Sequence, residues 1–114
     1  MGKSQREKGK RGEREWAQVC RDNGWSECRR TSQYCGQTGD ASDVVGLPNI
    51  HQEVKRVERL NIQDAMNQAI RDAKPDEMPI VAHRRNRQSS WFVTMEASTF
   101  FKLYKAWAET KEGD

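Results

Sequence analysis

The chain of 114 residues contains no apolar run longer than a few residues, so no segment of it can span a membrane as a helix. Its first residues are charged and lack the apolar stretch of a secretory leader, which leads to the expectation of an intracellular, cytoplasmic protein. Cysteine is scarce: Cys20, Cys28 and Cys35 include no C-x-x-C pair, and His51 and His83 lie far from them in sequence. That spacing argues against a zinc site and for free thiols in a reducing compartment. Apolar residues make up only 34% of the chain and charged residues 32%, yet four Trp, three Phe and two Tyr provide enough bulk to argue against disorder throughout. The length suits a single domain spanning 1–114 with one modest core.

What is present in quantity is charge, and its placement says more than its net value of +3. Lys3, Arg6, Lys8, Lys10 and Arg11 crowd the first segment; Arg29 with Arg30, and Arg84 and Arg85 with Arg87, form two further clusters. Clustered basic residues suit a polyanionic partner, the plain alternative being a solvated surface balanced by acids elsewhere. Residues 1–10 read as a flexible basic segment.

Hydrophobic periodicity gives the element order. Trp16, Val19 and Cys20 place a helix over 12–23, ended by Gly24. A short strand fits 25–32, and Tyr34–Asp40 reads as a loop. Ser42–Gly46 and Ile50–Val57 form two strands of a β-hairpin around Leu47-Pro48-Asn49. The best helical pattern follows: Ile62, Ala65, Met66, Ala69, Ile70 and Ala73, with Asn61 as N-cap. Two more strands are placed at Pro79–His83 and Trp91–Met95, with Trp91 and Phe92 assigned to the core. A C-terminal amphipathic helix carries Phe100, Leu103, Tyr104 and Trp107, with Ser98 as its cap. The order α-β-β-β-α-β-β-α predicts an α/β fold, a small mixed sheet flanked by helices. Parallel pairing is expected where a helix crosses between strands.

The chemistry centres on Asp43-Val44-Val45 followed by Glu53-Val54-Lys55. Alternate strand residues share a face, so Glu53 and Lys55 project together. If Leu47–Asn49 form a three-residue loop, Gly46 pairs with Ile50 and Asp43 falls opposite Glu53, with Cβ atoms about 4.5–5.5 Å apart. A two-residue loop moves Asp43 off that face. Two adjacent carboxylates repel unless a cation lies between them, and oxygen ligands of this kind suit Mg²⁺, with Mn²⁺ as a substitute. Lys55 beside them can orient a water or stabilise negative charge developing on a phosphate. A salt-bridge cluster on an exposed sheet face is the competing explanation.

These residues, in this order, resemble the PD-(D/E)XK nuclease superfamily, specifically the archaeal-type Holliday-junction resolvases and related phage proteins. The segments that carry the resemblance are Lys8-Gly9-Lys10-Arg11-Gly12-Glu13-Arg14-Glu15, Gly24-Trp25, Arg29-Arg30, Asp43-Val44-Val45 and Glu53-Val54-Lys55, roughly residues 8–57. Ser42 departs from the pattern, standing where the superfamily's name places proline. The resemblance implies a restriction-endonuclease-like fold and Mg²⁺-dependent hydrolysis of DNA, branched or junction DNA foremost, by a homodimer. It further implies catalytic roles for Glu13, Asp43, Glu53 and Lys55. Asp43, Glu53 and the Val54 carbonyl would bind the metal, with Glu13 bound directly or through a water. Glu15 competes with Glu13 for its role, and Asp40 with Asp43. Lys8, Lys10, Arg11, Arg29, Arg30, Arg56, Arg84 and Arg85 are the expected DNA-binding residues. Gln68 is read as a surface polar residue, the resemblance offering a site role as the alternative. Arg59 either touches phosphate or solvates the strand end. His51 shares the Glu53 face and is read as an ordinary residue at a sheet edge rather than one approaching the site. Two rival functions share the fold: a small nuclease acting on non-junction DNA, and a DNA-binding accessory protein without catalysis.

Overall fold

The computed structural model describes residues 2–31 and 42–112, with side chains from residue 9 onward. Helix α1 (Gly2–Asp22) leads to strands β1 (Arg29–Arg30), β2 (Val44–Val45) and β3 (Ile50–Arg56). Helix α2 (Ile62–Asp72), strands β4 (Met78–Arg84) and β5 (Phe92–Met95) and helix α3 (Ala97–Glu112) complete the order α-β-β-β-α-β-β-α. The five strands form one mixed sheet in the order β1-β2-β3-β4-β5. Only β3 and β4, joined through α2, run parallel; the other neighbours are antiparallel. A strand–helix–strand connection cannot turn back on itself in two residues, which is why the parallel step coincides with the crossover helix. None of the described helices is long and apolar enough to cross a membrane.

α1 starts at Gly2, well before the segment marked by apolar periodicity, and takes in residues read from sequence as flexible. Periodicity reports only the turns that meet a core, and those begin at Trp16. Gly24 ends the helix at φ +99°: Trp25 N donates to Cys20 O and Gly24 N to Arg21 O, a Schellman closure that favours a residue without Cβ. The next segment turns at once (Cys28 N donates to Trp25 O), so the expected strand over 25–32 contracts to Arg29–Arg30. The Tyr34–Asp40 loop, with Cys35 and Asp40, lies outside the described residues, as does the Lys8 side chain.

Two layers of core flank the sheet. On one face Trp16, Ala17 and Cys20 of α1 pack with Cys28, Val44, Val54 and Ala82, and Trp91 closes over Trp16 with ring centroids 5.3 Å apart. On the other, Ala65, Met66 and Ala69 of α2 cover Val81. Asn61 caps α2 by accepting from Asp64 N at 3.1 Å. Burying a side chain such as Met66 or Val81 stabilises by roughly 1.5–3 kcal/mol, so these two small layers anchor the sheet on both sides. α1 crosses β3 at close range, and a Cβ on Gly12 would come within 2.9 Å of Arg56 Cβ.

The last two elements depart from the expected burial. Trp91 is half-buried against the core, but Phe92 is 52% exposed. Phe92 borders a cavity with Leu60 and Ile62, and α2 faces the rest of β5 across a second cavity lined by Met66, Ile70, Thr94 and Met95. α3 begins at Ala97, one residue before the predicted cap Ser98, and of its residues only Thr99 is buried.

Candidate active site

The hairpin fixes the site. Val44 pairs with Gln52, the register of a three-residue loop, and Asp43 is the next residue outward, at a bend where regular pairing has ended. Asn49, at φ +63°, and Gly46, at φ +118°, make the reversal possible. Gly46 has a second reason to be glycine, since a Cβ there would lie 2.5 Å from Cys28 Cα. Asp43 N donates to Gln52 O, and Val54 N donates to Asp43 Oδ2 at 2.9 Å, which turns the carboxyl group toward β3.

Asp43, Glu53 and Lys55 line one cleft of about 690 Å³, and Glu13 enters it from α1. Lys10 and Gln68 also line it, which places the surface residue Gln68 on the cleft wall. Glu53 is 1% exposed although charged groups are seldom buried so fully. Burial, then the Glu53 charge, drives the Asp43 pKa from 3.8 up to about 7, against the Val54 N–H, which lowers it. Burial also raises the Glu13 pKa; Arg30 opposes this, and Glu53 adds to it. Arg30 Nε lies 2.8 Å from Glu13 Oε1, yet neither buried atom has a well-aligned hydrogen bond. Four acids, Glu13, Asp43, Glu53 and Glu58, and four bases, Lys10, Arg30, Lys55 and Arg56, line the cleft, and within it the Glu53 charge raises the pKa of both Asp43 and Glu13.

The crowding of Asp43, Glu53 and Glu13 is of the kind a divalent cation relieves. Among the described residues no three His, Cys, Asp or Glu side chains form a metal-holding group by themselves. Two carboxylates completed by a main-chain carbonyl and waters suit Mg²⁺, which dehydrates reluctantly and seldom sits in an all-protein cage. Asp43, Glu53 and the Val54 carbonyl would be the groups to hold such a cation, with Glu13 on the same cleft wall.

Glu15, the rival of Glu13, is committed elsewhere. Its two carboxylate oxygens receive Arg56 Nη1 and Arg84 Nη2, the latter at 2.7 Å, tying α1 to the ends of β3 and β4. Arg56 and Arg84 are thus drawn into structural pairs, and their side chains are only 17% and 12% exposed. Of the other basic residues named from sequence, Lys10 and Arg30 line the cleft, while Arg11, Arg29 and Arg85 are exposed outside it.

His51 is not the edge residue expected from sequence. It is 1% exposed and links Ser42 Oγ, 2.9 Å from Nδ1, to Glu53 Oε1, 2.9 Å from Nε2. Burial alone lowers its pKa, but the Glu53 hydrogen bond and charge, with Glu77 and Asp72, outweigh it and raise the pKa above the ordinary value. One Glu53 oxygen is thereby fixed from behind. Strand alternation already put His51 on the Glu53 face; what sequence lacked was the partner, Ser42. Gln52, on the opposite face, is held as firmly, accepting from Trp16 Nε1 at 2.7 Å and donating to Val44 O at 3.2 Å.

No known protein family, curated protein or solved structure matches this chain.

Proposed function

We propose that the protein is a metal-dependent endodeoxyribonuclease of the PD-(D/E)XK type, with a restriction-endonuclease-like fold, Mg²⁺ or Mn²⁺ as cofactor and branched DNA as the foremost substrate. The observation that carries this reading is the meeting of Asp43 and Glu53 across a hairpin, beside Lys55 and opposite Glu13, in one open cleft. Binding alone calls for basic residues; carboxyl groups crowded closely enough to repel one another suit a cleft in which a cation joins them. A bound Mg²⁺ or Mn²⁺ supplies Lewis-acid stabilisation to a phosphodiester. Asp43 and Glu53 hold the cation, and His51 keeps the Glu53 carboxylate from rotating. The Lys55 ammonium faces the charge that develops on the phosphate and orients the attacking water. Lys10 and Arg30 at the cleft wall meet backbone phosphates, which position DNA without reading its sequence. Preference for junctions, a homodimeric state and an intracellular site of action belong to the same proposal and rest on the resemblance.

Cleavage of four-way junction, flap and linear duplex DNA in Mg²⁺, Mn²⁺ or EDTA tests it. Asp43→Asn and Lys55→Ala should each reduce cutting by roughly 10²–10³-fold or more, with DNA binding and circular dichroism retained. Cutting by Asp43→Asn at the parent rate rules the assignment out. Salt-sensitive DNA binding with no cleavage in any metal favours the non-catalytic accessory protein, and preference for linear duplex favours a non-junction nuclease.

A further inference from the structure

Among the described residues ten large apolar side chains are exposed, and seven of them belong to β5 and α3. Trp25, Val57 and Ile70 are scattered singly elsewhere, as on most surfaces. On α3 the pattern is different. Phe100 and Tyr104 stack at 5.9 Å and 13°, and Tyr104 and Trp107 at 5.8 Å and 29°. Phe101 leans on Phe100 at 5.2 Å, and Lys111 caps the ladder 5.6 Å above the Trp107 ring. Positions i, i+4 and i+7 form a straight seam along one helix face.

A 16-residue helix rich in aromatic residues is marginal alone in water, and helices of that length are normally held by burying their apolar face. Here one threonine is buried and the seam is not. From the structure we infer that α3 is a self-association surface, and that its aromatic seam packs against the same seam of a second copy in antiparallel, twofold fashion.

Three observations select that occupant. Phe100, Phe101, Tyr104 and Trp107 are each about half exposed, which leaves roughly 400–500 Å² of apolar surface. Two such faces bury about 1,000 Å², the floor for a specific interface. Lys102, Lys105, Glu109 and Glu112 lie on the far side of α3 from the seam, so the only charged side chain on the aromatic face is Lys111, which is engaged with Trp107. An antiparallel pair sets the two helix dipoles against each other. Nucleic acid fits less well, because the ring faces a base would stack on already cover one another, and the acids offset much of the lysine charge.

A homodimer also belongs to the nuclease proposal, but the surface named here is read from α3 alone: loss of cleavage with dimerisation kept would fail that proposal and leave this one standing. Sedimentation velocity of the full chain from about 1 to 200 µM should give a monomer–dimer equilibrium with Kd in the micromolar range. Trp107→Glu and, as a milder second variant, Phe101→Ser should each weaken it by about 10-fold or more, with the parent's circular dichroism kept in dilute solution. A parent that stays monomeric to the top concentration overturns the proposal, and so do two folded variants that dimerise with the parent's Kd. Unchanged sedimentation combined with weaker binding of a single-stranded oligonucleotide would likewise overturn it, assigning the seam to nucleic acid.

Discussion

The two ends of the sheet handle burial in opposite ways. At β2 and β3 the chain buries what proteins usually expose: Glu53, His51, Gln52 and Ser42 are all at most 2% exposed. At β5 and α3 it exposes what proteins usually bury, with Phe101 at 62% and Trp107 at 54%. Buried polar groups persist only when partnered, and large apolar patches persist only when something covers them. The first region answers that demand inside the fold, through the Ser42–His51–Glu53 line and the Trp16–Gln52 bond. The second does not answer it within one copy of the chain. The difference separates a region shaped by a site from a region shaped by a surface, and it can be tested residue by residue.

The largest effect on stability should come from the tight side. Gly46→Ala places a methyl group 2.5 Å from Cys28 Cα at φ +118°, so both sterics and backbone conformation oppose it. A loss of about 3 kcal/mol or more in urea unfolding is expected. A loss below about 1 kcal/mol would show that the hairpin yields, and with it the register that brings Asp43 to Glu53.

Asp43→Asn should act in the other direction. The folded-state pKa of Asp43 stands at about 7 against an ordinary 3.8, raised by burial and by Glu53. The folded form therefore holds a proton that the unfolded form releases. The stability this group contributes is fully present below about pH 4 and is lost as pH climbs through 7. An asparagine still accepts from Val54 N through its carbonyl and offers Glu53 an N–H donor, with no charge to repel. In EDTA at pH 8 the variant should exceed the parent by roughly 2 kcal/mol, and the gap should close toward pH 4. Mn²⁺ or Mg²⁺ should raise the parent's melting temperature and leave the variant's unchanged. A variant less stable than the parent at pH 8 would mean that the two carboxyl groups do not strain the cleft.

How much of this could be read in advance depends on the range of each interaction. The Asp43–Glu53 juxtaposition follows from counting residues across a three-residue loop, a local matter. The parallel β3–β4 step follows from the α2 pattern between them. The division of labour between Glu13 and Glu15 does not follow from sequence, since it turns on Arg56 and Arg84 arriving from strands 41 and 69 residues away. His51 was on the right face but lacked a partner until β2 brought Ser42 to it. The apolar seam of α3 was visible as periodicity, which identifies the face that needs cover and says nothing of where cover comes from. Phe92 was placed in the core, but it lies on the edge strand at the wall of an open cavity and stays about half exposed.

The smallest effect should be on the open side, and its smallness is the point. Phe101 is the most exposed of the α3 aromatics, and its ring leans on that of Phe100. Within one copy of the chain, Phe101→Ser removes little buried surface, so unfolding at about 1 µM should shift by less than about 0.5 kcal/mol. At concentrations where the parent dimerises the same substitution should cost more, because association adds stability by mass action and the variant forgoes it. The signature is thus a melting temperature that climbs with concentration in the parent and stays flat in the variant. If Phe101→Ser instead destabilises equally at every concentration, the ring is buried within a single copy in solution, and the contrast between the two ends of the sheet fails at its apolar end.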